Sequence, residues 1–414
     1  MAEVFLPPGV RYECVQCGEC CRALEVWLTD AEAERVRGAQ WPPEIGPPAN
    51  LTRKLRGKGP HRWRLRPLPD GACRFLTTDN LCVVHQRLGY AAKPFAGRLF
   101  PFSFVLTPIG TFVGVRFECP SVVRGVGRPL DELRPHIRRL LDEYVRTYSP
   151  AREGPRVRFF GRYELSWRDI LRLEDQLLAF LNDRNLSVRE GLLAGLRLVR
   201  RFASEAIRGG EGRRIGVDPG EALAHAQAGE PTATERVLAR LLAASYAGAT
   251  PHAYREWPFL QRMGWRLRGP ARRLAIAVGL GAVSLPRLGR RVLLKEIREV
   301  AVGKMEPDSE AMLRRYYVAK VASQGFFGLG CFGRSFAEGF DALATSYWVV
   351  MWLARASALA HGRIKPKADD LEYAIRTLDH SYNHLPEFRG ARERVRSALF
   401  WNWRTSEKLL SEGD

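Results

Sequence analysis

The chain has 414 residues, 46% of them hydrophobic and 27% charged, with a formal net charge of +20. This length favours two or three domains with real cores and excludes a small scaffold held together by disulfides. The positive charge favours an anionic partner such as nucleic acid. Codon usage in a GC-rich genome offers a second explanation, because lysine occurs only nine times and arginine supplies the other cations.

The sequence predicts a cytoplasmic protein. The opening "MAEVFLPPGVRYEC" lacks the basic start and apolar segment of a signal peptide. The most apolar stretch, "ALATSYWVVMWLARASALA" (342–360), carries Arg355, so it predicts a buried helix and no transmembrane segment. Thiols stay reduced in the cytoplasm, and clustered cysteines there favour metal binding or catalysis over disulfides.

The distribution of cysteine indicates a domain division. Seven of the eight cysteines lie before residue 120. The sequence therefore predicts an α+β fold with a small, irregular, metal-ligated Cys-rich domain with short β-hairpins over 1–127. "WRLRPLPDGACRFLTTDNLCVVH" (63–85) predicts three short extended runs separated by turns. "SFVLTPIGTFVGVRF" (103–117) predicts a hairpin with Pro108 and Gly110 in its turn.

The rest of the chain has helical patterns. A helix and a linker are predicted over 128–165, the linker at 149–163, and a larger α-helical domain over 166–414, which we expect to bind a substrate or partner. Predicted capping boxes begin three helices, at Ser166/Asp169, Ser187/Glu190 and Thr232/Glu235. Further helices are predicted at about 308–323, 334–361, 368–383 and 390–411, with broken helices over 251–300.

The stretch "CVQCGECC" places Cys14, Cys17 and Cys20 in a C-x2-C-x2-C pattern. This spacing lets one loop direct three thiolates at one centre, as in ferredoxin-type iron–sulfur ligation, and zinc knuckles use C-x2-C pairs. Gly18 allows the loop to turn tightly. Cys21 is expected to point away from Cys20 and could serve a second centre.

Further candidate ligands follow along the chain. A tight turn is expected to place Cys73 and Cys82 on one face, close enough to share a metal. Cys82-x2-His85 is also a ligand-like spacing, and Cys119 ends the second hairpin. The eight candidate donors fill two four-coordinate sites, or one cluster with spare thiols: Cys14, Cys17, Cys20, Cys21, Cys73, Cys82, His85 and Cys119. The alternative is that they are small buried residues, as we expect for Cys331.

These blocks resemble the YkgJ-type CxxCxxCC cysteine-cluster family, whose members are described as zinc- or iron-chelating. The matching blocks over about residues 12–125 are "CVQCGECC", "CRFLTTDNLCVVH", "KPFAGRLFPF" and "CP". The length, the helical second part and the stretch "LRRYYVAKVASQGFF" resemble the flagellin lysine-N-methylase (FliB-like) branch. That resemblance implies an iron–sulfur cluster or Zn²⁺, S-adenosylmethionine as a methyl donor, and a protein substrate such as flagellin.

The sequence departs from the family pattern at one position. In "KPFAGRLFPF" (93–102), Gly97 stands where the family has a cysteine, although Pro94, Arg98 and Phe100 keep the frame. One donor is therefore missing. Either His85 or a water molecule completes the coordination, or one centre has been lost.

Three other motifs occur in the chain. "GLGCFG" (328–333) fits G-x-G-x-x-G but lacks a preceding strand and a later acidic residue, so it predicts a turn between helices. The stretch 369–384, with His380 and His384, predicts a solvated helix face. The patch "RKLRGKGPHRWRLR" (53–66) interleaves arginine with Trp63, which suits nucleic acid, a solvated segment, or charge compensation for thiolates.

Three functional hypotheses follow. The first is a metal-cluster protein acting as an enzyme, in its narrowest form a lysine-N-methylase. The second is a structural zinc module that folds on ligation and binds nucleic acid or an acidic partner. The third is a protein for redox sensing or metal delivery that uses its thiols reversibly.

Overall fold

The computed structural model describes residues 3–55, 60–207, 219–224, 229–247, 258–382 and 391–411. The fold is α+β, as predicted: small sheets lie mainly in the first part of the chain, and a larger helical assembly follows. Within the described residues no helix has the length and apolar character needed to cross a membrane.

The first part contains short elements. Its strands are β1 (Val4–Phe5), β2 (Arg11–Tyr12), β3 (Trp27–Leu28), β4 (Thr52–Lys54), β5 (Trp63–Leu65), β6 (Phe102–Thr107), β7 (Gly110–Val115) and β8 (Arg128–Pro129). Its helices are α1 (Glu19–Ala23), α2 (Asp30–Gly38), α3 (Val83–Leu88), α4 (Phe95–Leu99) and α5 (Pro120–Arg124). The strands pair in the orders β1-β7-β6, β3-β5-β4 and β2-β8.

The predicted hairpin over 103–117 is confirmed. Strands β6 and β7 pair antiparallel from Phe102 opposite Val115 to Thr107 opposite Gly110. The prediction of three extended runs over 63–85 is wrong, because β5 is the strand there and Cys82 makes a single bridge to Leu76. The Leu81 amide donates to Thr77 Oγ1 and closes the turn between them. The chain then enters α3 and does not continue as a paired strand.

The second part is mainly helical. Its helices are α6 (Arg134–Tyr148), α7 (Trp167–Asn182), α8 (Val188–Ile207), α9 (Pro219–Ala224), α10 (Ala233–Ala247), α11 (Phe259–Ala277), α12 (Leu294–Ile297), α13 (Pro307–Ala322), α14 (Phe336–Ala360), α15 (Ala368–Tyr382), α16 (Ala391–Asn402) and α17 (Thr405–Ser411). Its strands form the hairpins β9 (Arg156–Phe160) with β10 (Tyr163–Ser166) and β11 (Ala282–Leu285) with β12 (Arg290–Leu293).

Local signals predicted most helix starts. Ser166 accepts from the Asp169 amide at the start of α7, and Ser187 and Thr232 close the predicted capping boxes with Glu190 and Glu235. The prediction of a linker at 149–163 is corrected, since this segment contains β9 and the start of β10. The apolar stretch 342–360 lies in α14 and is largely buried, as predicted.

Two hydrophobic cores lie in the described residues. The main core joins β6, β7 and α5 from the first part with α7, α8, α13, α14 and α15. The small core contains Leu28, Ala33, Val36, Ile45, Leu51, Leu65, Phe75, Val83 and Val84. Packing therefore continues across residue 127, where the sequence predicts a domain boundary, and that boundary stays a prediction.

Candidate metal centre

The loop between β2 and α1 carries the first four cysteines. Gly18 caps α1 with a φ of 71°, a left-handed conformation that favours glycine. A side chain there would collide with those of Arg22 and Asn80, which are hydrogen-bonded to each other at 2.7 Å. Gly18 therefore allows the tight turn that was predicted, and it brings Cys17 and Cys20 to the same end of α1.

Four cysteines form what we call the first thiol group: Cys14, Cys17, Cys20 and Cys119. Burial and the negative charges of Cys17 and Cys14 together raise the pKa of Cys119 to about 11, so these thiols are neighbours. Cys119 is the residue before α5, whose Val122 and Ser121 amides act against this increase and lower the pKa of Cys119. Cys119 and Cys14 also raise the pKa of Cys20. Thiols from both ends of the Cys-rich segment therefore converge.

The second thiol group contains Cys21, Cys73 and Cys82. Burial raises the pKa of Cys73 to about 12, and the charges of Cys21 and Cys82 act in the same direction. The Cys73 amide donates to the Cys21 carbonyl at 2.7 Å, which ties the 73–82 turn to α1. Cys82 lies immediately before α3. Three separate segments thus supply one thiol each.

The two thiol groups adjoin at the vicinal pair. The Sγ atoms of Cys20 and Cys21 lie 4.0 Å apart and share a hydrogen bond, which raises the pKa of Cys20 and lowers that of Cys21. The expectation that Cys21 points away from Cys20 is therefore corrected. Adjacent helical residues differ by about 100° in direction, so their sulfurs reach neighbouring positions and not opposite faces.

The donor set fits a soft metal, although the thiols are spread. A tetrahedral zinc ion with bonds of about 2.3 Å needs sulfur atoms about 3.8 Å apart. In the described part of the chain, only His361, Asp369 and Asp370 bring three possible ligand atoms within 4.8 Å of one another. Arg363 already contacts both of those carboxylates, at 2.6 and 2.8 Å. To bind a single ion, the thiols of each group must therefore move closer together by side-chain rotation. A polynuclear cluster is larger and requires less movement.

Position 97, where the expected cysteine is missing, lies beside the second thiol group. A Cβ atom on Gly97 would lie 3.2 Å from Lys93 Cε, so the lysine side chain covers this position. The positive charge of Lys93 acts on both Cys21 and Cys73. The structure thus places a cation where the sequence pattern lacks a donor.

His85, the proposed eighth donor, lies on the exposed side of α3. Its ring stands edge-on to that of Tyr90, with centroids 5.6 Å apart. Among the described residues, no contact joins His85 to a thiol. Its role as a ligand stays a prediction, and the geometry favours a structural ring contact.

A cavity of about 420 Å³ opens beside the second thiol group. Its lining residues include Cys20, Cys21, Cys73, Cys82, Lys93 and Gly97. Aromatic rings form much of the remaining wall: Trp27, His61, Phe100, Phe102, Tyr144 and Tyr148. The Nδ1 atom of His61 is buried and has no hydrogen-bond partner in the described structure. The cavity therefore combines an apolar wall with a row of donor atoms.

The sequence interpretation missed a charged cluster beside Cys119. The buried Glu118 carboxylate contacts Arg116 at 2.6 Å, Arg287 at 3.1 Å and His380 Nδ1 at 2.6 Å. Burial raises the pKa of Glu118, but these partners outweigh it and lower the value to about 2. The interpretation of 369–384 as a solvated face is wrong for His380, and His384 lies outside the described residues. The spacing of Glu372, Arg376 and His380 along one helix face was the available signal.

Helix α15 also contacts the cysteine loop. Arg376 donates to the Glu118 carbonyl at 3.2 Å and pairs with Glu19 at 3.0 Å. Glu19 lies between Cys17 and Cys20, so one arginine contacts both segments of the first thiol group. The helical part of the chain therefore supports this group directly.

Two other motifs have structural roles. "GLGCFG" is a closed turn after α13, with Gly328 bridged to Arg334 and the Leu329 amide donating to Glu153. This confirms the predicted turn. In the arginine-rich patch, the Trp63 ring is contacted by Arg37 of α2, whose guanidinium carbon lies 4.3 Å from the ring centre, and the buried Arg64 pairs with Glu25. Residues 56–59 of the patch lie outside the described residues.

Known proteins support the resemblance. Residues 13–119 match the model of the CxxCxxCC family, described as "Putative zinc- or iron-chelating domain". An uncharacterized protein of Methanocaldococcus jannaschii is 26% identical over 120 residues, which cover 28% of this chain and 39% of that protein. The matched segment thus spans about two fifths of that relative. No solved structure matches. The family match supports metal binding by the Cys-rich segment.

Proposed function

We propose that the protein holds cysteine-ligated zinc or iron at the two thiol groups, where the Cys-rich segment meets the helical part. The observation that supports this most is the convergence of separated segments: the loop before α1, the 73–82 turn and the residue before α5. Buried packing alone does not explain these cysteines, because Cys14 is exposed and Cys17, Cys20 and Cys21 are only half-buried. Thiolates arranged in this way are ligands for zinc or for iron–sulfur clusters.

The two thiol groups differ in the coordination they offer. The first supplies four thiols and can close a tetrahedral centre, which is typical of a structural site. The second supplies three. Metal binding would displace the thiol protons and draw the β2–α1 loop, the 73–82 turn and α5 together.

The identity of the metal is tested by anaerobic purification followed by metal and acid-labile sulfide analysis and a visible spectrum. Iron with sulfide and a charge-transfer band establishes a cluster, whereas zinc without sulfide establishes mononuclear sites. Protein that takes up neither metal under reducing conditions would rule the proposal out.

Single substitutions assign the ligands. Cys17→Ser is expected to remove metal from the first thiol group, and Cys73→Ser from the second. Cys331→Ala is the matched control, because Cys331 is a buried core residue in the turn after α13 and should keep full metal content. His85→Ala should also keep it, since the exposed imidazole faces Tyr90.

The narrower form of the proposal is a lysine-N-methylase that acts on a protein such as flagellin. It rests on the resemblance of the chain layout and of "LRRYYVAKVASQGFF". That stretch lies largely in α13 and packs in the main core, so it supplies no open site. A site for S-adenosylmethionine would have to lie elsewhere, for example in the cavity beside the second thiol group. Calorimetric titration with S-adenosylmethionine tests this form, and absence of binding heat would remove it while leaving metal binding intact.

A further inference from the structure

We propose that helix α11 binds an anionic lipid surface and lies along it with one apolar face turned into the lipid. The inference goes beyond the proposed metal binding, because it concerns a different element of the fold and requires no bound metal. It starts from large apolar side chains that α11 exposes along one of its faces.

These side chains form what we call the apolar stripe. Its members are Phe259, Leu260, Met263, Leu267, Leu274 and Val278, the last of which caps the helix. Leu260, Leu267 and Leu274 follow one another at seven-residue intervals, which keeps them on one helix face, and they are 79%, 73% and 66% exposed. Single exposed apolar residues are normal, but a row of them marks an interaction surface.

The opposite face of α11 packs on the rest of the protein. Ile276 lies on that face, is buried and belongs to the main core. The neighbouring helix in this packing is α10. The fold therefore holds α11 by one side, and the apolar stripe is left for a partner outside the chain.

The charge around the apolar stripe is strongly positive. The segment 257–295 contains eight arginines and one lysine, but no aspartate or glutamate. Arg287 is engaged by the distant Glu118, whereas Arg268 on α11 and Arg291 on β12 are exposed. This segment thus supplies much of the net charge of +20, and it attracts an anionic partner.

Helical spacing puts the arginine positions of α11 beside the stripe. At about 100° per residue, positions 262, 266 and 273 lie along one side of the stripe and positions 268 and 272 along the other. A helix in the membrane interface has this arrangement, with its apolar side chains at the acyl boundary and its cations at the level of the lipid phosphates.

The combination of apolar and positive character favours lipid over other occupants. A second copy of this chain would bring the same cations together, and like charges across an interface repel. Nucleic acid would match the arginines but leave the leucines in water. A protein groove would have to be apolar along the stripe and acidic at both rims, whereas an anionic bilayer offers both properties along any line.

The test is co-sedimentation of the full-length chain with lipid vesicles under reducing conditions. One set contains phosphatidylcholine alone, and in the other about one third of the lipid is phosphatidylserine. The wild type is expected to bind the anionic vesicles about tenfold more tightly or better, and added salt should weaken this binding. Leu260→Gln combined with Leu267→Gln should reduce it by about tenfold or more, because two apolar side chains no longer enter the lipid.

The matched control is Leu329→Gln combined with Ile364→Gln. Both residues are exposed apolar side chains outside the stripe, so this variant should bind as the wild type does. All four substituted side chains are exposed, and far-UV circular dichroism should show the same fold in both variants.

Several results would overturn the proposal. One is that the wild type does not bind anionic vesicles. Another is that the stripe variant binds them as tightly as the wild type, since the charge of the chain alone would then explain the binding. A wild type that binds no vesicles but forms a dimer lost in the stripe variant would assign the stripe to a second copy. Binding to calcium-loaded calmodulin without vesicle binding would assign it to an acidic protein groove.

Discussion

Glu118 places a buried negative charge directly before Cys119, the last thiol of the first group. Three side chains contact its carboxylate: Arg116 from the same strand end, and Arg287 and His380 from distant parts of the chain. The chain thus compensates an acid that would otherwise be costly to bury, and it does so beside a group that becomes negatively charged when its thiols ionise. This arrangement joins the stability of the site to that of the helical part.

Glu118→Gln is expected to destabilise the protein by about 3–5 kcal/mol at neutral pH, because it removes the buried carboxylate that Arg116 and Arg287 share. The pKa of Glu118 is lowered to about 2 from an ordinary value of 4.5. The contribution of Glu118 to the free energy of unfolding is therefore complete above pH 4.5 and is lost as the pH falls toward 2. The difference in stability between the wild type and the variant should become smaller over this pH range. Urea denaturation at several pH values measures this. Glu132→Gln, at an exposed acid in the same part of the chain, is the control, and equal stability of wild type and Glu118→Gln would contradict the account.

Glu174 on α7 has the opposite behaviour. Burial raises its pKa to about 8, against the hydrogen bond donated by Gln324 Nε2 at 3.2 Å. The folded state therefore retains a proton that the unfolded state releases above pH 4.5, and stability falls as the pH rises from 4.5 to 8.

Glu174→Gln should remove this pH dependence, because glutamine is neutral throughout. Its stability relative to the wild type should rise between pH 4.5 and 8, by at most about 1.4 kcal/mol per pH unit. Melting temperatures at pH 5 and pH 8.5 measure the difference, with Asp142→Asn at an exposed position of α6 as control. A difference that stays constant between the two pH values would show that Glu174 is ionised in the folded state.

At the residue scale, the sequence predicted those features of the site that depend on residues close together in the chain. The cysteine spacing identified the donors of the loop before α1, and the frame around position 97 identified the missing one. The lysine that covers that position and the partners of Glu118 were not predicted. Glu118 and His380 are 262 positions apart, and a single sequence carries no signal for contacts at that separation.

Among the elements, α15 supports the first thiol group. Besides Arg376 and His380 it carries Asp379, whose Oδ2 accepts the Phe117 amide at 2.6 Å and whose Oδ1 pairs with Lys320. Phe117 lies two residues before Cys119. The helix therefore fixes the backbone that presents this cysteine, in the way that groups around a metal site hold its ligands in place.

Asp379→Asn is expected to loosen the segment 116–119. The Phe117 amide loses a charged acceptor and Lys320 loses its partner, so the amide should exchange with solvent faster. Metal transfer from the first thiol group to a chelator should also accelerate. Hydrogen exchange by mass spectrometry and a chelator assay report these changes. Asp369→Asn is the matched control on the same helix, because Asp369 is exposed and pairs with Arg363 away from the cysteines. Unchanged exchange at 116–119 would separate α15 from the site.

Elements with local signals were predicted well. Ser187 and Thr232 begin α8 and α10 through their own capping boxes, and the turn at Pro108 closed the β6–β7 hairpin. Elements that depend on pairing were not. The β9–β10 hairpin was expected to be a linker, and the predicted strand at Cys82 became the start of α3, because no local pattern states which segment will find a partner.

For the whole molecule, the Cys-rich part does not have one core of its own, although the distribution of cysteine suggests a single domain. Its segments are shared between the two hydrophobic cores. Cys119 and the β6–β7 hairpin belong to the main core, together with the long helices. The segments around Cys73 and Cys82 pack on the small core. The sequence predicted a division near residue 127 from composition alone, and composition does not report which apolar faces pack together. The two thiol groups therefore differ in how strongly the fold holds their segments without metal.

Metal removal should consequently affect the molecule unevenly. The small core has few buried residues, and the thiols of Cys21, Cys73 and Cys82 tie its surroundings together. The region of the small core, from Val26 to Ala92, should therefore open when a chelator removes the metal under reducing conditions. The main core buries far more apolar surface and should keep most of its helix. Limited proteolysis with mass spectrometry is expected to show new cleavages confined to that region, with far-UV circular dichroism largely retained. Re-addition of the metal should restore protection, which controls for irreversible oxidation. Cleavage throughout α7–α15 would show that the metal supports the whole fold, and an unchanged pattern would show that the thiols carry no structural metal.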